Sequence, residues 1–340
     1  MLNAAPPELP ASPLWLPFAP GPYRPAMGLI ARPPADLTAF GADYPPQMAE
    51  RRALLDHRRT EVFGALPGSE AARREALRVI VDHLLADRAP WFATSGAMLE
   101  NRLTGERWNL AAPDCDPLEL AGRLVQEDLC LLDPAAAVLT AAVLCFPSRW
   151  RLADKLGRDL AAIHAPVPLY AERLERPVAR FIAALAPDRL VERFNWTIHD
   201  GSELFQPVPH VASGPPVTAA TAPARLHLRV ERQTLNRLPE TGAVLFTIRT
   251  RQAALAEVMA VPGAAAALAE AVRGLPETVA AYRGIAPFRA ALLAALDRVA
   301  PPRWSKARPA GPECPRYQTD RACCPERTAW LRAERKGKAA

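Results

Sequence analysis

The chain has 340 residues, half of them hydrophobic, which is enough for a substantial core in one large domain or two modest ones. The net charge of +6 lies entirely in residues 301–340, with ten Lys or Arg against four Asp or Glu; no zinc-finger or helix-turn-helix pattern accompanies it, which argues against a nucleic-acid partner. No apolar run reaches the roughly 20 residues of a membrane helix, and neither a signal peptide nor a C-x-x-C pair is recognisable, so we expect a cytoplasmic protein with reduced thiols, no membrane anchor and no zinc site.

Three regions differ in composition. Residues 1–46 are Pro-rich and predict an arm that wraps over the surface, residues 47–300 predict a single domain, and residues 301–340 form a basic tail. The tail is either simply solvated or attracted to an acidic partner such as an electron-transfer protein. No role is indicated for its cysteines, Cys314, Cys323 and Cys324.

The first part of the domain mixes helical and strand patterns. Helical spacing predicts helices at 47–62 and 70–87, and we expect His57 and His83 on their surface because both stand among charged residues. Further along, the patterns predict a hairpin at 96–110, a helix at 117–132 and a buried strand or helix at 135–146. Residues 148–162 predict a short helix followed by a loop at Gly157, and the prolines predict an extended segment at 163–168. A helix at 169–186 that Pro177 kinks or divides, a strand at 189–198 and a loop at 200–224 follow.

The clearest pattern lies in residues 225–250. Three apolar residues alternate with three polar ones, as in a strand with two different faces: Leu226, Leu228 and Val230 against His227, Arg229 and Glu231. A Thr-Gly turn and a second strand at 243–250 complete an antiparallel hairpin, which we expect near the centre of a sheet. Its polar face is either solvated or a pocket lined by Arg229, Glu231 and Gln233. Helices predicted at 252–259, 262–274 and 277–299 follow, and this grouping of hairpins and helices predicts an α+β fold.

The common catalytic motifs are missing from this sequence. It contains no glycine-rich phosphate loop, no G-x-S-x-G elbow and no H-E-x-x-H. Among six histidines, His164 has the most constrained setting, between Ile163 and the Ala165-Pro166 pair. A ring held in that way suits an axial haem ligand, but a satisfied core histidine has the same surroundings.

Five sequence blocks, in chain order, resemble the haem-dependent oxidative N-demethylase family, the haem-bearing subunit of bacterial dimethylamine-type monooxygenases. They are MGL (27–29), CFPSRW (145–150), IHAPVP (163–168), FNWTIHD (194–200) and LRVERQTLNRLPETGAVLFTIRT (228–250). The resemblance implies a haem b domain with a PAS-like antiparallel sheet and flanking helices. It also implies demethylation of a small secondary amine with O₂, giving formaldehyde and the shorter amine, with electrons from NADPH through flavin and iron–sulfur carriers on partner proteins.

Within this resemblance we assign roles to seven residues. His164 is the expected axial ligand of the iron. Glu231 would accept a hydrogen bond from the substrate ammonium or relay a proton, and Arg229 would pair with a haem propionate or steer the oxygen. The expected cofactor contacts are Arg149, Trp150, Asn195 and Trp196.

Ordinary structural roles remain open for several of these residues. Arg229 and Glu231 suit an ordinary cross-strand ion pair, Trp196 suits a core, and Arg149 with Trp150 suits a cation–π pair. One position departs from the family, since Arg251 stands where we expect Tyr; if it touches the pocket, the substrate preference changes or demethylation is lost.

Two other functions compete with the enzyme. A haem-binding PAS-like sensor or carrier would share the fold, but the sequence shows no kinase, coiled-coil or DNA-binding output segment. A structural subunit that has lost haem would keep the fold alone.

Overall fold

A computed structural model describes residues 6–208 and 215–299. The basic tail at 301–340, with its three cysteines, lies outside the described residues. In this part of the chain, no helix combines the length and hydrophobicity needed to cross a membrane.

The described strands form two antiparallel sheets. The larger sheet has seven strands and the smaller one has three, β3-β4-β5, which includes the predicted hairpin at 96–110. The strands are β1 (Ile30–Arg32), β2 (Phe63–Ala65), β3 (Phe92–Ser95), β4 (Met98–Asn101), β5 (Glu106–Asn109), β6 (Asp128–Leu132), β7 (Leu139–Val143), β8 (Leu190–Asp200), β9 (Leu226–Arg237) and β10 (Val244–Ala254).

The large sheet has the order β1-β8-β9-β10-β6-β7-β2, so the predicted hairpin β9–β10 lies at its centre. The apolar residues of the alternating pattern, Leu226, Leu228 and Val230, are all buried, as period two requires. The predicted strand at 189–198 is β8, which pairs with β9 from Val191 to Asp200. Because β1 covers only 190–192 of β8, the rest of β8 is the open edge of the sheet among the described residues.

Helices flank the sheet, so the fold is α+β, as predicted. They are α1 (Tyr44–His57), α2 (Arg59–Val62), α3 (Glu70–Asp87), α4 (Pro117–Leu124), α5 (Leu160–His164), α6 (Tyr170–Arg173), α7 (Glu175–Ala184), α8 (Ala222–Arg225), α9 (Leu255–Met259), α10 (Ala264–Arg273), α11 (Glu277–Tyr282) and α12 (Arg289–Asp297). Short 3₁₀ turns occur at Pro34–Asp36, Leu152–Asp154 and Ala286–Phe288. Helices α9 to α12 pack with Ile198, Leu228 and Val230 in one hydrophobic cluster against the sheet.

The N-terminal arm lies against the domain in its described part, residues 6–46. Pro7 accepts a hydrogen bond from the Trp91 indole, and Tyr23 donates its backbone N–H to the Gly274 carbonyl. Phe18 is buried edge-on against Trp196. The Tyr23 ring also lies against Arg283, whose guanidinium is 5.7 Å from the ring centroid.

Two predicted segments have a different structure. The helix predicted at 117–132 ends at Leu124, and residues 128–132 pair with β10 and β7 as a buried strand, because sheet pairing overrides the helical spacing. The apolar run at 135–146, which periodicity left open, contains strand β7. The segment at 163–168 is not extended: it starts in the last turn of α5, and Ala165 stays in the α region although Pro166 follows it. The bias against α before proline is a preference, and here the turn from His164 to Val167 outweighs it.

Helix breaks and one histidine also differ from expectation. The helix at 169–186 is divided, as predicted, but at Leu174, since Pro177 fits the first turn of α7. The helix at 277–299 breaks at Gly284, which has φ +65°. The prediction that His83 lies on the surface is wrong: it is 7% exposed and bonded to Thr38, whereas His57 is exposed as expected.

Candidate functional site

The register of β8 and β9 collects polar residues on one face of the sheet. Directly paired residues in antiparallel strands point to the same side. Three such pairs follow each other here: Arg193 with Gln233, Asn195 with Glu231, and Thr197 with Arg229. We call these six residues the polar face.

Glu231 is fixed by two amides at the middle of the polar face. Its Oε2 accepts hydrogen bonds from Asn195 Nδ2 at 3.3 Å and from Gln233 Nε2 at 2.9 Å. Its Oε1 has no hydrogen-bond partner among the described residues, and the side chain is only half-buried. The carboxylate therefore presents one oriented, unoccupied acceptor to the space above the sheet.

His164 presents an unoccupied ring nitrogen near the same face. Its Nδ1 donates to the Leu160 carbonyl at 2.8 Å, within α5, and its ring stacks on Tyr170 with centroids 4.6 Å apart and planes 10° apart. Burial lowers the pKa of His164, and the charges of Lys155 and Arg193 lower it further, which favours the neutral ring. With the proton on Nδ1, the Nε2 lone pair is free in the described region, which is the arrangement of a metal-binding histidine oriented by a backbone carbonyl.

Lys155 occupies the neighbourhood of Trp150. Its Nζ lies 4.1 Å from the centroid of the Trp150 ring, and burial lowers the pKa of its ammonium group, which also feels the charge of Glu231. The interpretation of Arg149 and Trp150 as a cation–π pair is therefore wrong, because Lys155 is the cation over that ring.

Arg149 has an unusual backbone, and among the described residues its side chain has a carbonyl but no carboxylate as hydrogen-bond acceptor. Its φ is +64°, a strained value for a residue other than glycine, and its N–H donates to the Gln206 carbonyl at 2.6 Å. Its Nη1 donates to the Arg283 carbonyl at 3.2 Å, while its buried Nε has no partner. Burial lowers the pKa of Arg149, and no acidic residue opposes this effect.

Arg229 is fully buried and holds backbone rather than an acid. Its Nη2 donates to the carbonyls of Phe146 at 2.6 Å and Pro147 at 3.3 Å, and its Nη1 donates to Leu204 at 3.1 Å. No ion pair joins it to Glu231 within the described ranges, so neither the ion-pair interpretation nor a solvated face applies to this side chain. Its Nε, also buried, has no partner.

Two residues of interest lie on the opposite side of the sheet. Trp196 pairs with Val230 and belongs to the hydrophobic cluster with α9 to α12, and the Arg283 guanidinium lies 4.8 Å from its ring centroid. Trp196 is thus a core aromatic residue, which was one of the alternatives for it, and its ring also contacts the Arg283 guanidinium. Arg251 also pairs with Val230, and its Nη2 lies 3.3 Å from Glu257 Oε1. It does not point towards Glu231, so the departure from the family pattern does not alter the polar face directly.

Sequence reasoning missed Arg193, Lys155 and Arg283. Arg193 stands two residues before Asn195, so period two along β8 would have placed both on one face. Lys155 and Arg283 lie between regular elements, where no periodic signal exists.

The residues around the polar face fit a haem group. Within residues 6–208 and 215–299, Arg193 Nε and Arg283 Nη1 are buried without a hydrogen-bond partner, as are the Nε atoms of Arg149 and Arg229. Unpaired cations in such surroundings are costly unless an anion compensates them. A haem has two carboxylates to place against these groups and an iron that takes an imidazole nitrogen. The free Nε2 of His164 is such a nitrogen. Of two cavities of about 390 Å³, one is lined by residues between Ala161 and Glu175, and the other by Tyr23, Arg24, Pro25, Leu169 and Arg173.

Comparison with known families supports this fit. The family described as haem-dependent oxidative N-demethylase, alpha subunit-like, matches residues 28–293, which contain every residue of the polar face, His164 and the helices from α1 to α11. The match covers well over half of the chain. The chain therefore belongs to the haem-dependent oxidative N-demethylase alpha subunit-like family.

Proposed function

We propose that this chain is the haem b subunit of an oxidative N-demethylase that acts on a small secondary amine such as dimethylamine. The observation that carries the proposal is the free Oε1 of Glu231, oriented by Asn195 and Gln233, together with the free Nε2 of His164, whose ring feels the charge of Arg193 on the same sheet face. The b type of haem is supported by the sequence, which lacks the C-x-x-C-H pattern of covalent attachment. The core is PAS-like in our proposal, since an antiparallel sheet carries helices and a ligand site on its face.

The protein's part is to hold the reactants. His164 Nε2 would ligate the iron, with Arg149 among the contacts of the haem carboxylates. When bound, the haem supplies the oxidation of the C–H bond beside nitrogen, which needs O₂ and is beyond the reach of amino-acid side chains. The overall change consumes O₂, two electrons and two protons, and yields the shorter amine, formaldehyde and water.

Glu231 would bind the amine in its protonated form. A secondary ammonium group has two N–H donors, and one of them fits Oε1 as a charge-assisted hydrogen bond. The side-chain amides of Asn195 and Gln233 hold Oε2 in place, so the carboxylate cannot rotate to exchange its two oxygen atoms. Oε1 is also the nearest acceptor for the ammonium proton when the nitrogen must become neutral.

Asn195 and Gln233 act on the substrate only through Glu231. Arg229 fixes the segment at 145–150 rather than a propionate, and Trp196 supports Arg283 from the other side. In this proposal the Trp150 ring, which lies against Lys155, also contacts the haem.

The electrons would come from NADPH through a partner that carries a flavin and an iron–sulfur centre. The alpha subunit-like family supports an assembly of several subunits. We also propose a cytoplasmic location, because Cys115, Cys130 and Cys145 are unpaired thiols in the described residues, as a reducing compartment would leave them.

The test is a pair of spectra followed by a titration. The protein is loaded with haem, its ferric and ferrous spectra are recorded, and dimethylamine hydrochloride is added. We expect a Soret shift with the amine, and formaldehyde trapped after chemical reduction and exposure to O₂. His164→Ala should lose the native iron coordination and regain it with added imidazole, while the exposed His57→Ala serves as the matched control.

The competing functions give different results in the same experiment. A haem sensor or carrier would show the His164-dependent spectrum but neither the amine-induced shift nor formaldehyde. A colourless protein after ample haem supply, or unchanged iron coordination in His164→Ala, would contradict the proposal.

A further inference from the structure

Three arginines along the edge strand β8 have no adequate acid to pair with. Arg193 belongs to the polar face, Arg149 contacts the loop at 283–284, and Arg283 lies over Trp196 on the other side of the strand. Arg149, Arg193 and Arg283 each have a buried side-chain N–H without a hydrogen-bond partner in the part of the chain that the structure describes. Burial is the main effect that lowers the pKa of all three. Glu231 is the one carboxylate among the described residues that acts on any of them, and it acts on Arg193 alone.

Arg283 is placed by aromatic rings rather than by an acid. Its guanidinium lies 4.8 Å from the ring centroid of Trp196 and 5.7 Å from that of Tyr23. The ionisable groups that favour its charge are Tyr23 and Tyr282, which are phenols, so they supply no formal negative charge at neutral pH. The planar group is thus oriented, but its charge is not compensated.

Arg149 is joined to Arg283 through the backbone. The Arg283 carbonyl accepts hydrogen bonds from Arg149 Nη1 at 3.2 Å and from Thr197 Oγ1 at 2.9 Å. Thr197 belongs to the polar face, so this carbonyl ties the loop at 283–284 to β8. The Arg149 guanidinium therefore contacts the loop that carries Arg283, at the edge of the sheet.

Arg193 lies between the loop at 283–284 and the surroundings of His164. It is two residues from Asn195 on the polar face, and its charge acts on His164 and on Tyr170, which stacks on the His164 ring. It also feels Tyr23, which lies under Arg283.

Gly284 makes room for Arg149. A Cβ atom placed on Gly284 would lie 1.5 Å from Arg149 Nη1 and 2.6 Å from its Cζ, and φ at this glycine is +65°. Any other residue would have to displace the guanidinium from the place where it contacts the Arg283 loop. The Arg149 guanidinium therefore fills the space that a side chain at position 284 would need.

We propose that Arg149, Arg193 and Arg283 form a carboxylate-binding site, with Gly284 as the residue that admits Arg149, and that the two propionates of a haem are its ligand. The assignment of the ligand rests on the proposed function. Guanidinium groups bind carboxylates in bidentate fashion, and two carboxylates next to Glu231 would balance these three cations. The Arg229 side chain is excluded from this site because three backbone carbonyls already occupy its Nη atoms.

The experiment compares two iron porphyrins that differ only in their carboxylates. The apoprotein is titrated with hemin and with hemin dimethyl ester, and both affinities are measured from the Soret band. We expect the wild-type protein to bind hemin at least about tenfold more tightly than hemin dimethyl ester, because a hydrogen bond between charged groups contributes a free energy of about that size. Arg149→Met, Arg193→Met and Arg283→Met should each reduce this ratio, whereas the exposed Arg180→Met should not.

Lysine variants keep the test decisive if a methionine variant does not fold. Arg193→Lys and Arg283→Lys retain the charge but lose the planar guanidinium. We expect their ratio of hemin affinity to hemin dimethyl ester affinity to lie between the wild-type ratio and a ratio of one. Equal affinity of the wild-type protein for the two porphyrins, or an unchanged ratio in all the site variants, overturns the carboxylate site.

Failure of this site and failure of the proposed function look different. If both porphyrins bind equally and still require His164, the carboxylate site is wrong and the haem function stands. If neither porphyrin binds, the proposed function itself is wrong.

Discussion

The guanidinium of Arg229, in the middle of β9, donates a 2.6 Å hydrogen bond to the carbonyl oxygen of Phe146. On the other side of the same residue, the buried Asp128 carboxylate accepts the backbone N–H groups of Cys145 and Phe146 at 2.7 and 3.0 Å, and it pairs with the buried Arg51. The segment at 145–150, which carries Arg149 at φ +64°, is therefore held from both directions by buried charges. Such bonds explain how a strained residue is kept at the site.

The first prediction concerns Arg229. Arg229→Met should lower the free energy of unfolding by about 2–5 kcal/mol, because it leaves three buried carbonyls without their donor. Arg229→Lys should restore little of this loss, since an ammonium group cannot reach carbonyls on both the 145–150 segment and Leu204. Urea unfolding measures the effect, and the exposed Arg180→Met should stay within about 0.5 kcal/mol of the wild type. A variant as stable as the wild type would show that Arg229 does not hold the segment.

A second prediction separates Glu231 from its supporting amides. Glu231→Gln should weaken dimethylammonium binding by about 10- to 100-fold, because the charge-assisted bond to Oε1 is lost. Gln233→Leu keeps the charge but frees the carboxylate, so its loss should be smaller. The amine-induced Soret shift of the haem-loaded protein measures both. Glu257→Gln, on the opposite side of the sheet, is the control, and equal binding by Glu231→Gln would exclude Glu231 as the amine acceptor.

The pH dependence of stability should show the buried His83. Burial lowers the pKa of His83 to about 4, with Arg88 lowering it further, while the nearby Asp87 opposes the shift. Because the unfolded chain keeps an ordinary value near 6.5, it binds more protons between these two pH values. Stability from this group is therefore present above pH ~6.5 and falls as the pH drops towards 4, by about 3 kcal/mol at the full extent.

His83→Gln tests this assignment. Glutamine stays neutral and can still bond Thr38 and Asp87, so the variant should lose less stability than the wild type between pH 7 and pH 4.5. Urea unfolding at several pH values measures the difference, and the exposed His57→Gln should follow the wild type. Parallel curves for His83→Gln and the wild type would contradict a buried neutral His83.

A double-mutant cycle tests the link between Gly284 and Arg149. Gly284→Ala adds backbone strain in any background, but in the wild type it also displaces the Arg149 guanidinium. We expect the loss of stability on Gly284→Ala to be smaller by about 1 kcal/mol or more in the Arg149→Met background. Additive losses in urea unfolding would mean that the two residues do not share this space.

Much of the site was visible in the sequence. The alternation at 226–231 placed Arg229 and Glu231 on one face, and the proline-flanked setting singled out His164 among the histidines. What the pattern could not give was the partner of each group. Arg229 bonds Phe146, 83 residues away in the chain, and the cation over Trp150 is Lys155 rather than Arg149.

The sequence by itself determined the central hairpin, the α+β class and the family, because period two, turn residues and continuous motifs are local properties of the chain. The tertiary structure alone decided that residues 128–132 form a strand, that His83 is buried, and that the Arg283 carbonyl accepts a hydrogen bond from Thr197 in β8. Each of these depends on contacts between segments far apart in the chain, where burial and pairing outweigh local preference.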